Sequence, residues 1–394
     1  MPNDTLQRFV TLPDLRFVNA TRRRKPAGFE VHTEKVSAFE VCPRCATPSA
    51  STYDHRVVRV KDAPLRDQHV VLHIRKRRLW CRPCRKPFTE PVAGIRKGHR
   101  TTERYQRSLL SAAETFSDLT QVRRAYACSA GSLYTMLYHQ LELRRRTRIY
   151  PWPEHLGLDE HFFRREKTGE RRFASVITDI RNHRVMELVD GRRSIDLEMA
   201  LAHIEGRERV RAVVTDLAEP YRTFAKTFFP NALRVADKFH VVRLLHPAIN
   251  RRRKEITGDK RLLPVRRLLL QRGKTLPHLY QRVLREWLSD YPELREIYET
   301  KERMHAFYRI RSHAQASLVF TDMTDRMALS VLPEIKTLRR TLLAWRTEIL
   351  NYFRTRLTNA MTEGFNNKAK LVQRRAFGYK SFRNYRLRLL NVCA

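Results

Sequence analysis

Gly157-Leu158-Asp159-Glu160-His161-Phe162-Phe163 is followed at once by two further runs of strand-forming residues, 173–180 and 185–189. β-Branched and aromatic residues fill these runs. The turn-rich segments Lys167-Thr168-Gly169-Glu170 and Arg181-Asn182-His183 separate them, so together they open an antiparallel sheet. Asp159 stands among Leu158, Phe162 and Phe163. A carboxylate on so apolar a stretch of backbone requires a partner, either an Arg or a metal ion.

Working outward, 195–204 is an amphipathic helical segment, and 210–217 is a buried strand with Asp216 at its C-terminal end, where sites open on mixed sheets. A helix over 219–229 leads to another strand, 232–240, carrying Asp237 and His240. Three strands, a helix, a strand, a helix and a strand make a ribonuclease-H-like order, in which the acids of the first and fourth strands lie side by side. Two carboxylates so placed repel each other. A pair of Mg²⁺ ions would neutralise them and activate a nucleophile against a phosphodiester. Taken singly, each acid reads more readily as half of a salt bridge in an Arg-rich chain; it is the strand order that favours a site. Glu160 alternates to the opposite face from Asp159 and serves as its internal control.

The 394 residues suffice for two or three domains, and 42% hydrophobic content supports real cores. With 79 Lys+Arg against 41 Asp+Glu the formal net charge is +38, which points to a polyanionic partner, nucleic acid first. No apolar run is long enough to span a membrane and the first residues do not form a secretory signal, so a cytoplasmic, nucleoid-associated protein is expected. Four of the six Cys fall in two Cys-x-x-Cys pairs, Cys42/Cys45 and Cys81/Cys84. Two such knuckles offer four thiolates to one structural Zn²⁺. The strand-like runs 53–60 and 70–80 between them predict a zinc ribbon with a basic face that includes Arg75, Arg77 and Arg78. His55, His69 and His73 are spare donors that a four-Cys site does not need.

Residues before about 40 read as a loosely structured lead-in with a short strand or two. Three helices are expected over 101–115, 118–126 and from Ser129 through Leu141, in the manner of a helix-turn-helix, although Ala127-Cys128 stands where a Gly is common. The third would offer Ser132, Tyr134, Thr135 and His139 to a DNA groove. Segment 241–350 is patterned as helices throughout, an all-helical insertion. On the last long helix, Glu363, Asn366, Asn367 and Lys370 recur at i, i+3, i+4 and i+7, so one polar face joins a carboxylate, amides and an ammonium. The fold class expected is therefore α+β and multidomain. Its parts are a lead-in and zinc ribbon (1–95), a helix-turn-helix domain and linker (96–150), a ribonuclease-H-like core (151–257), the helical insertion (258–350) and a C-terminal core segment (351–394).

These residues resemble the DDE transposases of the insertion-sequence L-three (ISL-three) group. The likeness runs through the ribbon at 42–84, the helices near 101–141, the GLDE segment at Asp159, VVTD at Asp216, the run from 229 to His240, TEGFNNKAK at Glu363, and the 374–385 segment with Arg374-Arg375-Ala376-Phe377-Gly378-Tyr379. The resemblance implies a catalytic triad of Asp159, Asp216 and Glu363 holding two Mg²⁺ (or Mn²⁺) ions, with Asp237, His240 and Asn367 in support and Lys370 and Arg374 toward DNA. It further implies Mg-dependent strand cleavage and transfer on double-stranded DNA, binding to terminal inverted repeats and target, and a homodimer or larger synaptic assembly. A non-catalytic DNA-binding regulator and a ribonuclease-H-like structure-specific nuclease are the rival readings.

Overall fold

The computed structural model describes residues 11–24, 27–115, 118–148, 150–258 and 264–393. The chain divides into two compact units, one formed by 1–147 with 372–379 and the other by 148–371 with 380–394.

In the first unit, β1 (Leu15–Arg23) and β2 (Gly28–Lys35) join β5 (Thr52–Leu65), β6 (Gln68–Cys81) and β7 (Lys86–Thr89) in one sheet of order β1-β2-β6-β5, with β7 pairing the far end of β6. The lead-in is thus better built than its sequence suggests. β2 runs parallel to β6 from Gly28↔His69 to Glu34↔Arg75, and Leu12, Leu15 and Val31 share a core with Val60, Leu72 and Ile74. Residues 1–10, 25 and 26 of the lead-in lie outside the described residues. β5 and β6 are joined by Arg66-Asp67, both at positive φ (49° and 60°), the backbone of a two-residue primed turn formed without Gly or Asn. The short pair β3 (Glu40–Val41) and β4 (Pro48–Ser49) carries the first cysteine knuckle.

Three helices follow: α1 (Glu103–Thr115), α2 (Leu119–Ala125) and α3 (Ala130–Thr147). Asp118 caps α2 through the Thr120 N–H at 2.7 Å, and the Ser129 hydroxyl accepts from the Ser132 N–H at 3.1 Å at the start of α3. Ala127 takes φ +44° in the turn between them, and the Lys61 ammonium donates to its carbonyl at 2.6 Å.

The second unit is built on β8 (His155–Arg165), β9 (Arg171–Asp179), β10 (Arg184–Asp190), β11 (Ala212–Thr215) and β12 (Leu233–Ala236), with α4 (Ser194–Leu201) and α5 (Glu219–Phe228) as connections. The sheet order is β10-β9-β8-β11-β12; the first three strands are antiparallel, and β8, β11 and β12 are parallel. The strand expected over 232–240 ends at Ala236. Lys238, Phe239 and His240 begin α6 (Lys238–Arg243) instead, leaving Asp237 at the junction. Side chains alternate between two cores: Leu156, Leu158 and Val213 pack with Trp152, Phe224 and Phe229, whereas Val214 and Val235 pack into a helical cluster.

That cluster is formed by α7 (His246–Thr257), α8 (Pro264–Leu270), α9 (His278–Ser289), α10 (Pro292–Phe307), α11 (His313–Ala328), α12 (Pro333–Ala344) and α13 (Arg346–Thr355). Ile249, Leu294, Phe307, Phe320 and Ile349 are continuous with Val214 and Val235, so the helical segment completes the core of the sheet rather than forming a body of its own. Then α14 (Ala360–Arg375) lies against β8, and α15 (Phe382–Val392) closes the chain.

The seat of α14 on β8 is polar and buried. Asn359 donates from its amide to Leu158 O at 2.8 Å, Thr178 and Thr362 share a hydrogen bond of 2.8 Å, and Thr362 also bonds the Asn359 carbonyl. Gly157 makes this approach possible, because a Cβ there would stand 2.3 Å from Asn359 Oδ1 and 2.5 Å from Thr178 Oγ1. Gly157→Ala should therefore cost about 1–3 kcal/mol of stability, read as a lowered midpoint in denaturant unfolding; an unchanged midpoint would show that the seat is slack.

Candidate metal centre and acidic site

The four knuckle cysteines converge. Their sulfurs all lie within 4.8 Å of one another, with Cys42 Sγ 4.0 Å from Cys84 Sγ and Cys45 Sγ 3.4 Å from Cys81 Sγ. A tetrahedral Zn–S site with bonds of about 2.3 Å spaces its sulfurs by about 3.8 Å, so the donor set fits zinc in both chemistry and size. Each knuckle closes with a left-handed residue after its second Cys, Ala46 at φ +57° and Arg85 at φ +50°. Cys42, Cys81, Leu79 and Phe88 form a small core, so the site replaces apolar volume the ribbon lacks. Among the described residues no His joins the cluster, and His73 instead stacks on His32.

The acids assemble by register. β8 and β11 pair as Val214↔Gly157, and β11 and β12 as Thr215↔Ala236. Extending that register by one or two residues brings Asp159 on β8 level with Asp216 and Asp237, which follow directly on β11 and β12. Asp159 is 8% exposed. Burial pushes its carboxyl up to about 6; the charge of His240 and the Glu160 N–H oppose the rise, while Asp216 and Asp237 add to it. Asp216 is likewise raised, first by burial and then by Glu160 and Asp237, against His240. His240 is held up in turn by its hydrogen bond to Asp237, Nδ1 to Oδ2 at 3.1 Å, and by the charges of Asp159 and Asp216. Acids this close favour a bound cation over common ionisation.

Helix α14 adds the amide. Asn366 donates from Nδ2 to Asp159 Oδ2 at 2.8 Å, while its Oδ1 is buried without a partner. An orphaned amide oxygen on the residue that binds the Asp159 carboxylate adds an oxygen donor of the kind a hard cation such as Mg²⁺ takes. Asn367, expected in support, is exposed. The helix buries Thr362, Phe365, Asn366 and Ala369, so its inward stripe selects Asn366. That spacing was visible in the sequence, although an amide among apolar residues did not mark itself as the inward one.

Glu363 is not drawn in. Its side chain is 57% exposed and lies 3.8 Å from Arg243. Among the described residues only the four Cys bring three or more metal-donor atoms together. Glu160, on the opposite face from Asp159, pairs with Arg192 at 2.9 Å, yet its charge reaches Asp216, so it is less isolated than alternation suggests.

Of the residues expected at DNA, Arg75, Ser132, Tyr134, Thr135, His139, Lys370 and Arg374 are exposed. Arg77 is committed internally, bonding buried Glu90 at 3.0 Å and Ser37 O at 2.8 Å, which removes it as a free phosphate contact. Arg78 is half-buried, bonded to Asp54 and lying over the Tyr53 ring.

Comparison with known proteins agrees with this anatomy. The ISL3 family of DDE transposases, described as a transposase family, matches residues 156–389. A zinc-finger family of the transposases of IS204, IS1001, IS1096 and IS1165 matches residues 38–84. The transposase for insertion sequence element IS1001 from Bordetella parapertussis is 25% identical over 366 residues, covering 89% of this chain and 88% of that protein.

Because the knuckles have little apolar core beyond the thiols, removing the metal with a chelator should unfold the ribbon and leave the sheet of the second unit folded. Hydrogen exchange would read this as deprotection confined to the 42–89 region; uniform protection after metal loss would refute it.

Proposed function

The chain belongs to the ISL3 family of DDE transposases, and from that premise we propose that it binds the terminal inverted repeats of a mobile element and performs Mg²⁺-dependent cleavage and strand transfer on DNA. The observation that carries the reading is the row of acids, with Asp159 inside β8 level with Asp216 and Asp237 just past the ends of β11 and β12, and Asn366, whose Oδ1 is unpartnered, bonded to Asp159. The strand order β10-β9-β8-β11-β12 supports a ribonuclease-H-like core.

In this reading Asp159, Asp216 and Glu363 hold the ions. Bound Mg²⁺ would supply charge neutralisation and an activated water or 3′-hydroxyl for in-line displacement at phosphorus. Asn366 fixes the Asp159 carboxylate, and Asp237 fixes the His240 ring while accepting the Asn359 N–H at 3.1 Å. Glu363 has to leave Arg243 to join the site, and exchange of that exposed, long ion pair costs little. Lys370 and Arg374 face phosphates. The ribbon and helices α1–α3 form a helix-turn-helix-type end reader, with Ser132, Tyr134, Thr135 and His139 on the groove-facing side of α3. Two ends must be held together for strand transfer, so the working form is a dimer or larger assembly.

Asp159→Asn, Asp216→Asn and Glu363→Gln should each abolish Mg²⁺-dependent nicking of a fragment carrying the element's repeats while end binding stays within a few fold, and Glu160→Gln should cost far less. Nicking that survives any of the first three removes that residue from the site. Affinity for the ends should fall with added salt by about 0.9 log units per log unit for each phosphate neutralised; an affinity indifferent to salt would exclude a phosphate-tracking surface.

A further inference from the structure

Phe377 is 93% exposed, the highest value among the large apolar side chains of the described residues. Its backbone is also unusual. Helix α14 ends with the Phe377 N–H bonded to Arg374 O at 3.2 Å and the Gly378 N–H bonded to Gln373 O at 3.0 Å, with Phe377 at φ +52° and Gly378 at φ +94°. This is the left-handed helix terminator in which glycine is preferred at the first position after the cap. Here a phenylalanine takes that position, and the Cβ clash of the left-handed region is incurred for a ring that packs on nothing. Single exposed apolar residues are ordinary. One held in a strained conformation that glycine would relieve is not, and such strain marks sites of function.

The surroundings identify the ligand. Arg374 and Arg375 on the preceding turn and Lys380 just beyond are all exposed, on a chain of net charge +38. An aromatic ring at the tip of a turn with cations on both sides suits a base stack whose phosphates are held by those cations. We propose that Phe377 is a DNA wedge: its ring inserts into the base stack of the element-end duplex and displaces a base. The inference rests on the transposase reading and adds a distortion that the acids themselves do not require.

The test uses the full chain, without divalent metal, bound to end duplexes carrying 2-aminopurine at each position in turn. Wild type should give a fluorescence rise confined to one or two positions. Phe377→Ala should lose that rise with end affinity within a few fold, and Phe377→Trp should keep it. Phe377→Gly should lose it while raising the melting temperature, since it relieves the positive φ; this separates loss of the wedge from loss of folding. Nicking by Phe377→Ala, slowed on intact duplex, should recover when the responsive base is replaced by an abasic site. An unchanged fluorescence pattern in Phe377→Ala, or a wild-type chain that nicks ends with no responsive position, overturns the wedge alone. A wild-type chain that neither binds nor nicks ends overturns the transposase reading with it.

Discussion

A buried carboxylate on a central strand is the constraint from which the second unit takes its form. Asp159 cannot be left bare in an apolar interior, and one of its oxygens is answered by the Asn366 amide at 2.8 Å. That single bond fixes the face of α14 turned to the sheet, and the face in turn fixes the seat of Asn359 and Thr362 over Gly157. Removing the carboxylate would leave Asn366 with a second unsatisfied group, since its Oδ1 already lacks a partner. Polarity at this contact is therefore a matter of register. A helix packed there by apolar side chains alone could slide by a turn at small cost, whereas one held by matched donors and acceptors cannot.

The ribbon meets the same need by different means. Its sheet is long but, among the described residues, its zinc-end core is Cys42, Leu79, Cys81 and Phe88 with Cys84 against them, and a metal held by the four thiolates would supply the cross-link that so few apolar groups cannot. Tyr53 stacked on Trp80 and bracketed by Arg78 continues that face outward. Charged groups here serve structure as well as solvation: Arg77 satisfies buried Glu90, whose other oxygen takes the Arg77 N–H at 2.6 Å.

Much of this was legible in the sequence, for identifiable reasons. Cys-x-x-Cys pairs are local, and ligand chemistry admits few alternatives. The order of strands and helices is carried by hydrophobic period, which placed Asp159 and Asp216 on adjacent strands. What escaped depends on which face meets which partner. Asn366 and Asn367 are indistinguishable until the stripe Thr362-Phe365-Ala369 is known to be inward. Arg77 reads as one basic residue among many until Glu90 is found opposite it. The length of the lead-in strands and their place in the ribbon sheet escaped because β2 pairs in parallel with β6, a long-range contact with no sequence mark. The β12 boundary was misjudged because Lys238-Phe239-His240 suits either strand or helix, and the Asp237 carboxylate, tied to Asn359 and His240, decides for a junction.

The helical segment between the second and third acids of the family pattern is best understood through the edge it covers. β12 ends the sheet and would present bare backbone carbonyls on its outer side. Helix α13 closes that side: the Asn351 amide donates to Arg234 O at 2.9 Å, and Glu348, 2% exposed, binds Arg222 on α5 at 2.9 Å with Arg234 at 3.7 Å. A buried acid held by two guanidiniums is costly to separate, so these contacts pin β12 to the helices on the side opposite its ladder with β11. Tyr308, just past the end of α10, is buried, and the charge of Asp237 helps hold its hydroxyl protonated after burial itself. The helices thus support from behind the strand end whose carboxylate orders both His240 and the start of α14. Their length is explained by the need to cover an edge and complete a core before the chain returns to the acids.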